Sequence, residues 1–364
     1  MKICCVGIKH RLFAMQVVSI LCFCLMCYFK LFAQEHLKEK TVIRVGHFAT
    51  ITHAQAVIGH GLSREQRGWF ESFLGPDVEI QWYVYQAGSS AMEALFADSL
   101  DLTYVGPSPT INAYLKAKGK TIRVVCGSCS GGASLIIQSN RIKKISDFQG
   151  KIIATPQLGN TQDVAARAWL YSNGFEFNLF GGQVTVIPME NVDQFTLFHQ
   201  GDLDAAWAVE PWASRLVEEA KGEVFLEESS LWKQTGGKYV TTHLVSTENF
   251  LQNRPDLVKK WILAHIKLTE WIQENSEQAK VFFNQELKKE VFRNLAKEII
   301  DRAWEKIELT YAPIQASLYR YANWAYEIGF FKQQPQLKGL YDLRLLAEVL
   351  EEIDHSKGLI HDRS

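Results

Sequence analysis

Cysteine is scarce where the chain would fold. Five of the seven cysteines fall within the first 33 residues, which leaves Cys126 and Cys129 for the rest of the 364-residue chain. Two half-cystines cannot staple a body of this size, and no second C-x-x-C run accompanies them to make a structural zinc site. The run CGSC allows two readings: a local disulfide between Cys126 and Cys129, or two small residues in an inter-domain turn. Net charge is nearly absent too. The 39 basic and 40 acidic residues sum to −1, so no global field recruits nucleic acid. There is no internal repeat, no low-complexity tract and no sustained heptad. Nor is there a G-x-S-x-G, Walker or dinucleotide fingerprint, so the motifs give no support to chemistry.

What is there begins with an uneven end. Residues 1–33 carry Lys2, Lys9, Arg11 and Lys30 and no acid, and without them the balance is 35 basic against 40 acidic. Eighteen uncharged residues, Leu12–Phe29, follow the basic stretch, and Leu31-Phe32-Ala33 makes an imperfect small-residue cleavage site. This reads as an export signal, with an uncleaved anchor as the main rival because eighteen residues approach a membrane span. Lipid attachment at Cys27 is disfavoured by Met26 in front of it. In each case the body is expected outside the cytoplasm, in the periplasm or on the outer face of the cytoplasmic membrane.

From Val42 onward short β-branched runs alternate with amphipathic stretches. Strands are expected at 42–48, 78–85, 100–105, 122–125, 134–138, 151–154, 184–187, 203–208, 224–226 and 239–245. Helices fill most gaps between them, one of them broken around Gly59–Gly61. Strand-then-helix spacing indicates βαβ units and mostly parallel sheets. A hairpin-like basic turn is expected around Arg141–Lys144. After Pro255 strand signals stop and helices follow, expected to pack on the first domain. Length and pattern imply two α/β lobes: 41–126 with 240–355 as a discontinuous lobe 1, and 127–239 as lobe 2. The chain would cross between them near 126–132 and 236–242.

Four segments share one physical character, a strand end followed by small polar residues at a helix start. They are Thr52-His53-Ala54-Gln55, Gly88-Ser89-Ser90, Gly106 through Ser108 to Thr110, and Gly159-Asn160-Thr161. Helix N-termini present unpaired N–H groups that suit small anions, and in open α/β sheets the ligand crevice lies beyond the carboxyl ends of the strands. Each segment taken singly is a helix cap; Asp163, three residues after Asn160, is placed to occupy some of the donors itself. Together they point to a shared cleft. AAWAVEPW supplies a fifth group, with Trp207 and Trp212 as an apolar wall. Glu210 would brace that wall or select an amine, unless it pairs with Arg215 and the tryptophans are core. His47, His53 and His60 lie close in sequence, but their spacings do not share one helical face. His53 alone is the candidate, as a donor to an oxyanion, and no metal or other cofactor is assigned.

AGSSAMEALFADSLDLTYVGPSPTINAY, KIIATPQLGNTQDVAARAWL and DAAWAVEPWASRLVEE resemble, in order and spacing, segments of the nitrate/sulfonate/taurine/bicarbonate-type periplasmic solute-binding proteins of ABC importers. TEWIQEN, FKQQP and GLYDLRLL extend the resemblance over residues 41–355. It implies the type II periplasmic-binding-protein fold, two α/β lobes with a ligand cleft, plus extra C-terminal helices. It also implies capture of a small anionic ligand by Thr52–Gln55, Ser89–Ser90, Ser108–Thr110, Gly159–Thr161 and Trp207–Glu210, and delivery by a monomer to a permease in the cytoplasmic membrane. The proline usual after His-Ala in this group is Gln55 here. An aliphatic sulfonate is the favoured ligand, with nitrate, bicarbonate and taurine as alternatives. The same fold includes pyrimidine-precursor synthases; their cysteine-rich motif is absent from the body of this chain.

Overall fold

The computed structural model describes residues 40–178, 181–291 and 294–361; the leader segment read from residues 1–33 lies outside them. Among the described residues no helix is long and apolar enough to cross a membrane.

The strands, in chain order, are β1 Thr41–Phe48, β2 Val78–Tyr85, β3 Leu102–Val105, β4 Ile122–Gly131, β5 Ala133–Ile137, β6 Ile152–Thr155, β7 Phe177–Asn178, β8 Gly181–Gly182, β9 Thr185–Pro188, β10 Ala205–Val209, β11 Glu223–Glu227, β12 Val240–Thr247 and β13 Ile307–Leu309. They form two main sheets, ordered β13-β4-β12-β3-β1-β2 and β11-β5-β10-β6-β9, with β7 and β8 pairing separately. In the first sheet β1 is parallel to β2 and β3, and β12 returns antiparallel between β3 and β4. In the second, β10 is parallel to β6 and antiparallel to β5. The inner strands β3, β5 and β12 are buried throughout, as strands with both faces covered must be. The result is the two-lobed type II periplasmic-binding-protein fold with additional C-terminal helices.

Three local expectations change. The helix Ala54–Arg64 runs unbroken through Gly59 and Gly61. A Cβ on Gly59 would meet Phe70 at 2.4 Å, and one on Gly61 would meet Glu286 at 3.1 Å. These glycines are there for close approach of neighbouring elements, not to end the helix. The basic turn around Arg141–Lys144 does not close a hairpin, because β10 is inserted between β5 and β6. Strands do not stop at Pro255: Ile307–Leu309 adds β13 to the edge of β4.

The C-terminal helices also do more than cover the first lobe. Leu318, Tyr321, Ala322, Trp324 and Ala325 of the helix Gln315–Glu327 share one apolar core with Val105 and Val245 of the first sheet and Leu135 and Trp207 of the second. Glu228 anchors this spine. Its fully buried carboxylate accepts from Trp207 Nε1 at 2.8 Å, Tyr321 Oη at 2.5 Å and Trp232 Nε1 at 3.4 Å. Burial raises its pKa to about 6, against the opposing pull of those three donors.

Candidate ligand cleft

A cleft of about 820 Å³ opens between the lobes. Its floor is made of strand ends and exits: Phe48–Thr50 from the end of β1, Tyr85 and Gln86 from the end of β2, Gly106 after β3, Pro156–Leu158 after β6, Pro188 and Met189 from the end of β9, and Val209 at the end of β10. These are the carboxyl ends of parallel strands, where side chains are free to face a ligand. The rims touch across the gap. Thr50 Oγ1 donates to Glu210 O at 3.0 Å, and Gln157 Nε2 donates to Ser89 Oγ at 3.2 Å.

The structure sorts the residues named from sequence. Thr52, His53, Gly88, Asn160, Thr161 and Trp212 line the cleft. His53 is the most defined donor. Its ring stacks on Phe48 at 4.5 Å, and its Nδ1 accepts from Phe48 N–H at 3.3 Å, which leaves the ring proton on Nε2. Burial holds its pKa well below the ordinary histidine value, so the ring is neutral. In the helix Thr161–Ser172 the first intrahelical bond runs from Val164 N to Asn160 O at 3.0 Å. The amides of Thr161 and Gln162 precede it and point out of the helix start. Asp163 does fill other donors: it accepts from Gly159 N–H at 2.9 Å, from Thr155 Oγ1 at 2.7 Å and from Arg167 Nε at 3.0 Å.

Other named residues turn away from the cleft. Gln55 is fully buried and locked to Ser128, donating to its carbonyl at 2.8 Å and accepting from its hydroxyl at 3.1 Å. Ser90 caps Ala87 O at 2.9 Å. Thr110 donates to Gly106 O at 2.9 Å and lies 2.8 Å from His243 Nε2. Ser108 and Gly159 border a separate small cavity of about 80 Å³. Trp207 is core, bound to Glu228, so it is no part of the wall. Glu210 is buried and accepts from Ser214 N–H at 3.0 Å, not from Arg215, and burial raises its pKa to about 7. The pattern has a cause: the residue leaving each strand faces the gap, and one helical step later the side chain swings back onto its own helix or the sheet.

Cys126 and Cys129 are buried free thiols on β4. Three residues along an extended strand put their Cα atoms about 10 Å apart, beyond disulfide reach. Burial pushes both thiols well above the ordinary cysteine value, so neither offers a thiolate.

Sequence reasoning missed the rest of the wall. Met189, Glu190, Asn191 and Val192 come from the β9 exit, Leu287, Glu290 and Val291 arrive from the helix Ser276–Val291, and Leu295 stands just before the helix Lys297–Glu305. Arg215 also lines the cleft, its guanidinium 4.4 Å from the ring centroids of both Phe195 and Trp212 and 2.8 Å from Glu219. Only Arg215 carried a readable signal, as a cation one turn beyond the suspected wall. His47 and His60, set aside as a pair by their spacing, stand 2.9 Å apart, because one lies on β1 and the other on the facing helix.

Comparison with known proteins places this architecture. The profile of the NMT1-like family matches residues 36–283. A Bacillus subtilis (strain 168) protein provisionally named an aliphatic sulfonates-binding protein is 25% identical over 305 residues, covering 82% of this chain and 86% of the relative. Among solved structures, the alkanesulfonate-binding protein SsuA from Xanthomonas axonopodis pv. citri, bound to MOPS, superposes with a TM-score of 0.66 at 15% identity, over 84% of this chain and 99% of that one. The periplasmic nitrate-binding protein NrtA from Synechocystis PCC 6803 gives 0.70 at 16%, over 86% and 89%. At such identities the structural likeness speaks for the fold alone.

Proposed function

The chain belongs to the NMT1-like family, and from that premise we propose that it is the solute-binding component of an ABC importer, capturing a small organic oxyanion and no reaction intermediate. An aliphatic sulfonate is the ligand class the cleft favours. The observation that carries this reading is the composition of one inter-lobe cleft: neutral donors beside an apolar wall, with Arg215, Glu190 and Glu290 also on its lining. His53 Nε2–H and the leading amides of Thr161 and Gln162 can surround an oxyanion without a paired cation, helped by the positive end of the helix dipole. Desolvated hydrogen bonds of this kind confer specificity because an imperfect ligand leaves them unmade.

The apolar wall is Phe48, Leu158, Met189, Val192, Val209 and Trp212. Trp207, the residue that first suggested such a wall, takes no part in it, and its place is filled by aliphatic side chains from other strand exits. A volume near 820 Å³ suits an anion with a tail, since nitrate or bicarbonate would leave most of it to water. Related proteins provisionally named sulfonate-binding support the same class. The reading of residues 1–33 as an export signal, or as an uncleaved anchor, supports a location outside the cytoplasm, where the partner would be a permease in the cytoplasmic membrane.

Thermal unfolding against butanesulfonate, hexanesulfonate, taurine, nitrate, bicarbonate and a pyrimidine precursor tests the proposal. A ligand of the folded state adds about 2.7 kcal/mol of apparent stability at a hundredfold excess over Kd. The reading expects that shift with the alkanesulfonates and little with nitrate. A shift with the pyrimidine compound alone would move the assignment to an enzyme of the same fold.

A further inference from the structure

We propose that His47, His60 and Glu290 form a binding site for a divalent transition metal of the zinc class, set in the wall of the cleft. The three come from separate elements: β1, the helix Ala54–Arg64 and the helix Ser276–Val291. Their donor atoms converge. His47 Nε2 and His60 Nδ1 are 2.9 Å apart, and Glu290 Oε1 lies 2.9 Å from His60 Nδ1 and 3.3 Å from His47 Nε2. The side chains are 0%, 8% and 0% exposed respectively, so water does not separate them.

Proton counting argues for a cation at the centre. His47 Nδ1 sits 3.3 Å from Phe48 O; a proton donated there leaves a lone pair on Nε2, aimed at the other two groups. The carboxylate contributes another lone pair, and His60 Nδ1 has at most one proton for both neighbours. Three acceptor atoms so close, with one hydrogen among them, leave at least one contact repulsive. A metal ion makes all three attractive. A metal-bound histidine typically donates its far N–H to a carbonyl, as His47 is placed to do. Trp82 steadies both rings, stacked on His60 at 5.4 Å and edge-on to His47 at 5.7 Å.

The size fits as well. With donor bonds of about 2.0–2.2 Å, an ion would sit about 1 Å out of the plane of this triangle and keep a further position for water. Glu290 Oε2, buried without a hydrogen-bond partner, is spare for a second carboxylate contact. Glu290 also lines the cleft, which gives an ion its route in. Two imidazoles and one carboxylate select Zn²⁺, Co²⁺ or Ni²⁺ over Mg²⁺ and Ca²⁺. Glu290 shares the cleft with His53, and His47 and Glu290 both act electrostatically on that ring, so a bound cation would bear on the anion the cleft captures.

The test is Co²⁺ and Zn²⁺ titration of the full chain with Cys4, Cys5, Cys22, Cys24 and Cys27 replaced by serine, so that those thiols do not compete. One equivalent of Co²⁺ should bind with visible d–d bands, be displaced by Zn²⁺, and be indifferent to excess Mg²⁺. Glu290→Gln and His60→Ala should each weaken binding by more than the roughly 10- to 100-fold that loss of an outer partner costs. His199→Ala and His355→Ala, at exposed surface histidines, should leave it unchanged. Melting in EDTA checks that each variant folds like the parent. Absence of saturable binding by the folded parent, or binding that survives both ligand variants, would overturn the site.

Discussion

Replacing Tyr321 by phenylalanine removes one of the three donors to Glu228, and the cost should depend on pH. The Tyr321–Glu228 contact is 2.5 Å long, and both residues are fully buried. A charge-assisted hydrogen bond in such a place contributes about 2–3 kcal/mol, and its neutral counterpart about 1. Burial raises the Glu228 pKa to about 6, above the ordinary carboxylate value. The folded protein therefore holds an extra proton between about pH 4.5 and 6, and the carboxyl is largely neutral at pH 5 and ionised at pH 8. Tyr321→Phe should then lose about 2–3 kcal/mol at pH 8 but only about 1 at pH 5. The small void left by the hydroxyl is the same at both and cancels in the difference. Urea unfolding followed by tryptophan emission suits the measurement, since Trp207 and Trp232 are the other two donors. Equal losses at the two pH values would refute the reasoning, for they would mean that Glu228 carries no charge for Tyr321 to stabilise.

Three other outcomes are expected. Gly59→Ala should destabilise by about 1–3 kcal/mol in thermal melts despite alanine's better helix propensity, because the new Cβ meets Phe70 at 2.4 Å and Phe70 is stacked on Trp261 at 4.1 Å. Burial raises the Glu210 pKa to about 7, so the wild type loses stability as pH rises from the unfolded value toward 7. Glu210→Gln should accordingly gain on the wild type by up to about 3 kcal/mol over that window in paired denaturation curves. Cys126 and Cys129, buried and held as thiols, should resist a thiol reagent in the native protein and react once it is unfolded; reaction in the native state would contradict their placement.

Much of the fold was legible because its signals are local. β-Branched runs, Gly–Pro exits and helix caps mark where each strand ends, and the strand exits form the floor of the cleft. His53, Asn160 and Thr161 were found that way. What failed depended on contacts made far along the chain. Trp207 and Val209 share a face of β10, yet Val209 reaches the cleft while Trp207 is buried and bonded to Glu228, which also holds Tyr321 from a helix more than a hundred residues later. Gln55 looked like a ligand-facing polar residue until Ser128 claimed both ends of its amide. The histidines failed for a different reason. His47 and His60 were tested against a single helical face, but they sit on two elements, and sequence spacing says nothing about such a pair. Glu290, from the C-terminal helices, was invisible to any local rule.

The central claim is that the cleft holds an organic oxyanion by neutral donors and an apolar wall. Calorimetric titration with butanesulfonate and with nitrate, each at two temperatures, addresses it most directly. The account predicts one butanesulfonate bound per chain with a negative heat-capacity change from burial of its tail, binding weakened at least tenfold by His53→Ala, and weak or undetectable nitrate binding. Nitrate bound as tightly as butanesulfonate, or butanesulfonate affinity unchanged in the His53 variant, would contradict it.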